Sequence, residues 1–293
     1  MISFIIPFAN TNDNLHNWKS PDSKMIILST ILAIKNINKT LSDLEYSYEI
    51  ILVDNTNSFP NIEMPNLKIV KGLQYKKDIP KKYITKYKID NLESQSMWAS
   101  MAYNIGIENA KGDYIILQHN DIYYHTNMIP SLIEILERDS LGYISADYKK
   151  LTLSGYLGNK EKIDNIIDDI EVGYSDGGFV KTKRLGFSDC YFFLCKKEFF
   201  DNYYVDWDYG DSNHGATIKC LDEGIDFLHI GPYYDNPNFP THNSKRTYTF
   251  KNKDFITHLK GGFSEHKLSF KNSDNTNHMD ESNEFLNKLI QTL

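Results

Sequence analysis

Several short stretches of this chain are apolar without interruption, and that pattern limits the fold more than any other feature. Residues 2–7 (ISFIIP), 49–53 (EIILV) and 114–117 (YIIL) do not alternate as half-exposed strands do. They read as strands buried on both faces, which is the condition of strands in a parallel sheet covered by helices. Helical spacing stands between them. Met25, Leu28, Leu32, Ile34 and Ile37 predict a helix over 22–38, after the start signals Ser20-Pro21-Asp22. Met97, Met101 and Ile105, with Trp98 and Ala102, predict another over 96–110, closing at Lys111-Gly112, where glycine suits a left-handed cap. Strand, helix, strand repeats as βαβ, so the class is α/β.

Further elements follow the same logic. Residues 67–70, 143–146, 190–195 and 226–230 predict strands, the last of them final; 129–137 predicts a helix, and 218–222 a helix remnant capped by Gly224. The stretch 151–184 has no sustained period and reads as a variable insert or acceptor-side loops. Beyond His242 the chain is rich in Asn, Lys and Ser, and 272–277 links to a short amphipathic helix over 283–290. In open α/β sheets ligands gather beyond the carboxyl ends of the strands. Asp54, in the turn Asp54-Asn55-Thr56-Asn57, and Asp121, in the polar segment Gln118-His119-Asn120-Asp121, therefore belong to one rim.

The 293 residues carry 32 Lys plus Arg against 39 Asp plus Glu, a net charge of -7. Phosphate contacts supply most of the affinity of a nucleic-acid binder, so this balance argues against one. No segment reaches the ~20 apolar residues of a membrane span. The first apolar run opens the chain without a basic leader or cleavage site and reads as a strand. Cys190, Cys195 and Cys220 show no pairing or metal spacing, as expected of a reducing, cytoplasmic compartment. Peripheral membrane contact stays open through the lysine-rich stretch 76–88, which is otherwise a solvated face.

The order of these pieces resembles the family 2 glycosyltransferases. The residues that carry the likeness are Ile5-Ile6-Pro7 and Leu52-Val53-Asp54, then Ala102-Tyr103-Asn104-Ile105-Gly106-Ile107 with Ala110-Lys111-Gly112-Asp113-Tyr114-Ile115, in which only Tyr103, for an Arg, departs. The resemblance implies the GT-A fold, a Rossmann-like three-layer α/β/α arrangement with a mixed, mostly parallel central sheet. It covers roughly residues 1–245, with a nucleotide-sugar-binding half (1–121), an acceptor-binding half (122–245), and 246–293 as a C-terminal extension. It also implies transfer of a sugar from a nucleotide-diphosphate sugar, UDP-linked above all, to a hydroxyl of a glycan or glycolipid, with inversion, as a hexosyltransferase in polysaccharide or glycoconjugate biosynthesis.

The family's Asp-x-Asp motif, which presents oxygens to Mg²⁺ or Mn²⁺ at the donor diphosphate, falls on His119-Asn120-Asp121. Asp121 matches the final acid, and its plainer reading is a strand-end turn. His119 replaces the first acid and is open to three roles: ligating through nitrogen, binding a phosphate, or packing. Asn120 falls among the nucleotide contacts. Asp54 matches the acid that reads the base, beside Asn55, with Pro7 and Phe8 as walls; the alternative for Asp54 is a turn residue capping its own backbone. The general base that takes the acceptor's proton matches Asp211, with Asp208 as the alternative, and Trp207 and Tyr209 offer flat faces to an acceptor sugar. His242 stands where a further metal ligand is expected, and Lys245 and Arg246 can close over the phosphates.

Two other classes compete. A non-catalytic nucleotide-sugar binding module suits the altered residue at 119. A sugar-phosphate nucleotidylyltransferase would carry a Gly- and Arg-bearing loop after the first strand, where this chain has Phe8-Ala9-Asn10-Thr11-Asn12.

Overall fold

A computed structural model describes residues 1–9, 23–42, 46–73, 95–146, 149–150, 172–175, 179–182, 186–187, 191–205, 215–230, 246–250, 253–259, 284 and 287–291. In chain order the strands are β1 (Ile2–Phe8), β2 (Tyr48–Asp54), β3 (Leu67–Lys71), β4 (Tyr114–Gln118), β5 (Ile122–Tyr124), β6 (Tyr143–Ala146) and β7 (Lys149–Lys150), followed by β8 (Val172–Ser175), β9 (Phe179–Thr182), β10 (Gly186–Phe187), β11 (Phe192–Lys196), β12 (Leu228–Ile230), β13 (Arg246–Phe250) and β14 (Lys253–His258). The helices are α1 (Ser23–Thr40), α2 (Gln95–Asn109), α3 (Ile129–Arg138) and α4 (Gly215–Glu223), with a 3-10 turn at Lys197–Phe200.

Nine strands form the central sheet in the order β3-β2-β1-β4-β11-β6-β12-β9-β8. Parallel pairing joins β3, β2, β1 and β4, and β6 to β12; β11 and β9 run against the rest, so the sheet is mixed with most strands in one direction. The uninterrupted apolar runs have the predicted cause. On β1, β2 and β4 the residues Phe4, Ile6, Ile50, Leu52 and Ile116 face one layer, which holds Leu32 and Ile37 of α1 and Leu132 and Leu136 of α3. Their neighbours Ile5, Ile51, Val53, Ile115 and Leu117 face the other, with Ala102 and Tyr103 of α2 and Ala216 and Cys220 of α4. Since side chains alternate across a strand, a run that is apolar at positions of both faces needs a helix layer on each side. The α/β/α expectation holds.

Gly112 departs from the expected role. It has no left-handed backbone; among the described glycines only Gly224 does, with φ 68°, and that one does end α4. Gly112 is small because β1 passes over it. A Cβ there would lie 2.7 Å from the Ser3 backbone nitrogen and 2.9 Å from the Ile2 carbonyl carbon, and the Gly112 N–H donates to Ser3 Oγ at 2.8 Å. Gly106 makes room for a β1 side chain: its Cβ would lie 2.2 Å from Ile5 Cγ2.

One expectation about the end of the chain is corrected. The strand at 228–230 is not the final one, because β13 and β14 form a hairpin that continues through β14 onto β5 in a separate three-stranded sheet. Phe255, Ile256 and Leu259, in the stretch set apart as an extension, belong to the same apolar core as α1 and α3. No helix among the described residues is long and apolar enough to cross a membrane.

Two predictions follow from this packing. Gly112→Ala presses on β1 backbone, which cannot swing aside as a side-chain tip can, and is expected to lower unfolding free energy by about 1–3 kcal/mol in urea titration. Burial holds the Cys195 thiol well above its ordinary range and pushes Cys220 up to about 12. Both are expected to resist alkylation in the native protein at neutral pH and to react on unfolding, as read residue by residue in peptide mass maps.

Candidate functional site

Three side chains that could ligate a metal meet at the carboxyl end of β4. His119 and Asp121 lie in the tight connection between β4 and β5, and His258 closes β14. Their ligand atoms all lie within 4.8 Å of one another, and His258 Nε2 stands 3.3 Å from Asp121 Oδ1. Backbone register brings in the distant partner: His258 pairs with Ile122 across the β14–β5 ladder, and the Leu259 N–H donates to the Asp121 carbonyl at 3.2 Å. His258 is buried, and its Nδ1 has no hydrogen-bond partner among the described residues. Tyr191, directly before β11, packs against both imidazoles, with ring centroids 4.5 Å from His119 and 4.1 Å from His258.

The turn that carries His119 and Asp121 is seated on a polar seam of α1. Asn36 acts as a strand would: its Oδ1 accepts from the Tyr124 N–H at 2.6 Å and its Nδ2 donates to the Tyr124 carbonyl at 2.9 Å. The Tyr123 hydroxyl donates to the Ser29 carbonyl at 3.0 Å, and Tyr124 donates to Gln118 Oε1 at 2.6 Å. Burial holds both phenols well above their usual pKa, so they remain neutral donors. Asn120, expected among the nucleotide contacts, donates to Thr30 Oγ1 at 3.0 Å and so anchors the turn.

On the neighbouring strands, Asp54 is opposite Phe8 in the β1–β2 register, so it lies on the same rim. It is buried, and its own turn already uses both oxygens: Oδ1 accepts from the Thr56 N–H and hydroxyl at 3.0 and 3.1 Å, and Oδ2 from the Phe59 N–H at 2.8 Å. The self-capping alternative is thus present in the fold. Phe8 does not line an open wall. It is 1 % exposed and packs edge-on against Phe59 at 4.9 Å, because it is the last inward residue of β1. Pro7 is half-buried, and Asn55 is buried over Gly72.

Asp208, Asp211, Trp207, Tyr209, His242 and Lys245 lie outside the described residues, as does the side chain of Arg246. The element leading to the first four is nonetheless anchored. Asn104 of α2 accepts from the Val205 N–H at 3.1 Å and donates to its carbonyl at 2.8 Å, just ahead of residue 206. His258 was not singled out from the sequence. The signal available was the pair of Thr-, Tyr- and Phe-bearing runs 247–250 and 253–257 separated by two residues, a hairpin spacing.

The chain belongs to glycosyl transferase family 2, whose model matches residues 25–204, more than half of the chain. The three-layer sheet described above is the GT-A fold of that family. Comparison with curated proteins gives no match. Among solved structures the chain is similar to the mannosyltransferase PcManGT from Pyrobaculum calidifontis in complex with GDP-Man and Mn²⁺, at 11% identity and TM-score 0.42, covering 81% of this chain and 58% of that one. It is similar also to TarS of S. aureus in complex with UDP-GlcNAc, at 10% identity and TM-score 0.37, covering 80% and 59%. A third is the galactosyltransferase LgtC in complex with donor and acceptor sugar analogs, at 10% identity and TM-score 0.39, covering 78% and 73%. The chain thus spans under two thirds of the length of the first two.

Asn36→Ala leaves the buried N–H of Tyr124 without its partner and its C=O with only a long bond from Thr40, at about 1–3 kcal/mol for an unmet group. Urea titration is expected to show a loss of roughly 2–4 kcal/mol, well above that of Thr40→Ala, whose hydroxyl makes only a long 3.4 Å bond to the same carbonyl.

Proposed function

We propose that this chain is a hexosyltransferase that moves a sugar from a nucleotide-diphosphate donor, UDP-linked, to a hydroxyl of a glycan or glycolipid, with inversion, in polysaccharide or glycoconjugate assembly. The observation that carries the reading is the meeting of His119, Asp121 and His258 at the strand-end rim of a family 2 chain.

The donor set suits a divalent ion. Ligands bonded at ~2.0–2.2 Å to one ion lie at most about 4.4 Å apart, comparable with the span of the three groups. An ion also accounts for burying His258 beside a carboxylate with one nitrogen unmet among the described residues. Asp121, His119 and His258 would hold it, Mn²⁺ or Mg²⁺, and when bound it neutralises charge on the departing diphosphate.

The remaining roles belong to the chain's own groups. Asp54 spends both acceptor sites of Oδ1 and one of Oδ2 on its own turn and keeps the second site of Oδ2 for a ring N–H of the base, since each carboxylate oxygen accepts twice. Pro7 flanks the base. Lys245 and Arg246 pair with phosphate oxygens, Arg in bidentate fashion. Asp211, or Asp208 in its place, accepts the acceptor hydroxyl's proton as that oxygen attacks the anomeric carbon from the face opposite the leaving group. Trp207 and Tyr209 support the acceptor ring, and the Asn104–Val205 bonds hold the approach to that segment.

A thermal-shift series with UDP, GDP, dTDP and CMP, with and without Mn²⁺, tests the donor site, since ligand stabilisation grows as RT ln(1 + [L]/Kd). One nucleotide is expected to raise Tm in an ion-dependent way, and Asp121→Ala to abolish that shift. Asp211→Asn is expected to keep the shift and lose turnover by ~10²–10⁴-fold. Wild-type turnover in Asp211→Asn would remove that residue from the mechanism.

A further inference from the structure

The three donors differ in chemistry from an all-oxygen site, and this bears on which ion they take. Two of the three groups are imidazoles and one is a carboxylate. Mg²⁺ is a hard ion that favours oxygen and gives up its water reluctantly. Imidazole nitrogen suits first-row transition ions. The two imidazoles are also held in place rather than free to retreat. Tyr191 packs against both rings, His119 and His258 meet edge-to-face with centroids 5.4 Å apart, and His258 is fixed by the β14–β5 ladder.

We infer that His119, Asp121 and His258 form a two-imidazole, one-carboxylate site selective for a first-row transition-metal ion over Mg²⁺, with His119 as the residue that sets the preference. This deepens the proposed function and rests on it for the ion's role, though not for its binding. An acid at position 119 would give the site a second hard oxygen donor. The imidazole there moves the balance toward nitrogen-preferring ions while leaving Asp121 to carry the negative charge.

The test uses the full chain, freed of any polyhistidine tag and stripped with chelator, titrated calorimetrically with Co²⁺ and with Mg²⁺. Visible absorption of the Co²⁺ form serves as a second readout, independent of activity. Co²⁺ is expected to bind at least roughly a hundredfold tighter than Mg²⁺, with His119→Asp narrowing that ratio by roughly tenfold or more and shifting the Co²⁺ bands. His119→Asn, which removes the nitrogen without adding charge, is expected to weaken Co²⁺ and leave Mg²⁺ nearly unchanged. Circular dichroism and thermal melts of both variants check that they are folded, and should one variant fail to fold, the other carries the comparison. Equal binding of the two ions by the wild type, or an unchanged ratio in a folded variant, overturns the inference while leaving an ion-assisted transferase intact. Binding of neither ion, with or without UDP, overturns the ion site in both readings, whereas an ion-independent Tm shift with nucleotide would still support the donor site.

Discussion

Strand β1 is buried at every residue but Pro7, and most of the molecule is arranged around that fact. It is laddered to β2 on one edge and to β4 on the other, covered by α1 on one face and by α2 on the other. Gly106 and Gly112 lie where a side chain would collide with it. A strand enclosed in this way fixes the level at which its neighbours end. The ends of β2 and β4, which bear Asp54 and the His119–Asp121 turn, are placed by ladders to the same central strand. The rim is therefore a property of the sheet and not of its loops.

Around that rim polar groups hold position where apolar packing alone would not. A helix facing a sheet usually presents an unbroken apolar stripe, yet α1 carries Ser29, Thr30 and Asn36 on its inner side; Thr30 bonds to the β4–β5 connection, and Ser29 and Asn36 bond to β5 itself. A buried polar contact contributes little net stability when made and costs more when broken. Such contacts suit a place where one geometry must be chosen over near alternatives. Farther from the rim, Lys196 of β11 bonds Glu137 of α3 at 2.8 Å and holds that carboxyl below its usual range; Tyr114, desolvated and bonded to the same carboxylate, is pushed up to about 12. The glutamate is thus charged at neutral pH, and its share of stability falls away as pH drops through its lowered pKa. The pair is half-exposed, so that share is small.

Much of this was legible from residue order. The mostly apolar runs 2–7, 49–53 and 114–117 could only be strands covered on both faces, and the observed bounds differ from the expected ones by at most one residue at either end. The family motif at 102–115 was legible as a resemblance, but its physical content was not. Gly112 looked like a cap residue and instead makes room for β1, and Asn104, known only as a letter of the motif, clamps Val205. At the site, Asp121 and His119 were visible because a strand stops there. His258 was hidden for two reasons. Its strand is bounded by Lys, Asn and Ser-rich sequence, and its partner β5 is three residues long, too short for periodicity to register. The contact between them is set by tertiary pairing that no local pattern encodes.

The placement of His258 also sets an order of events. Strands β1, β2 and β4 with α1 can assemble from the first half of the chain, and His119 and Asp121 come with them. The third donor arrives only when β14 pairs its residues 256–258 with β5. Chains are made from the amino end and long-range pairing is slow, so completion of the three-donor cluster belongs to the last stages of folding. A nascent or clipped chain that ends before β14 would lack the third donor, so the cluster is complete only once the chain extends through residue 258.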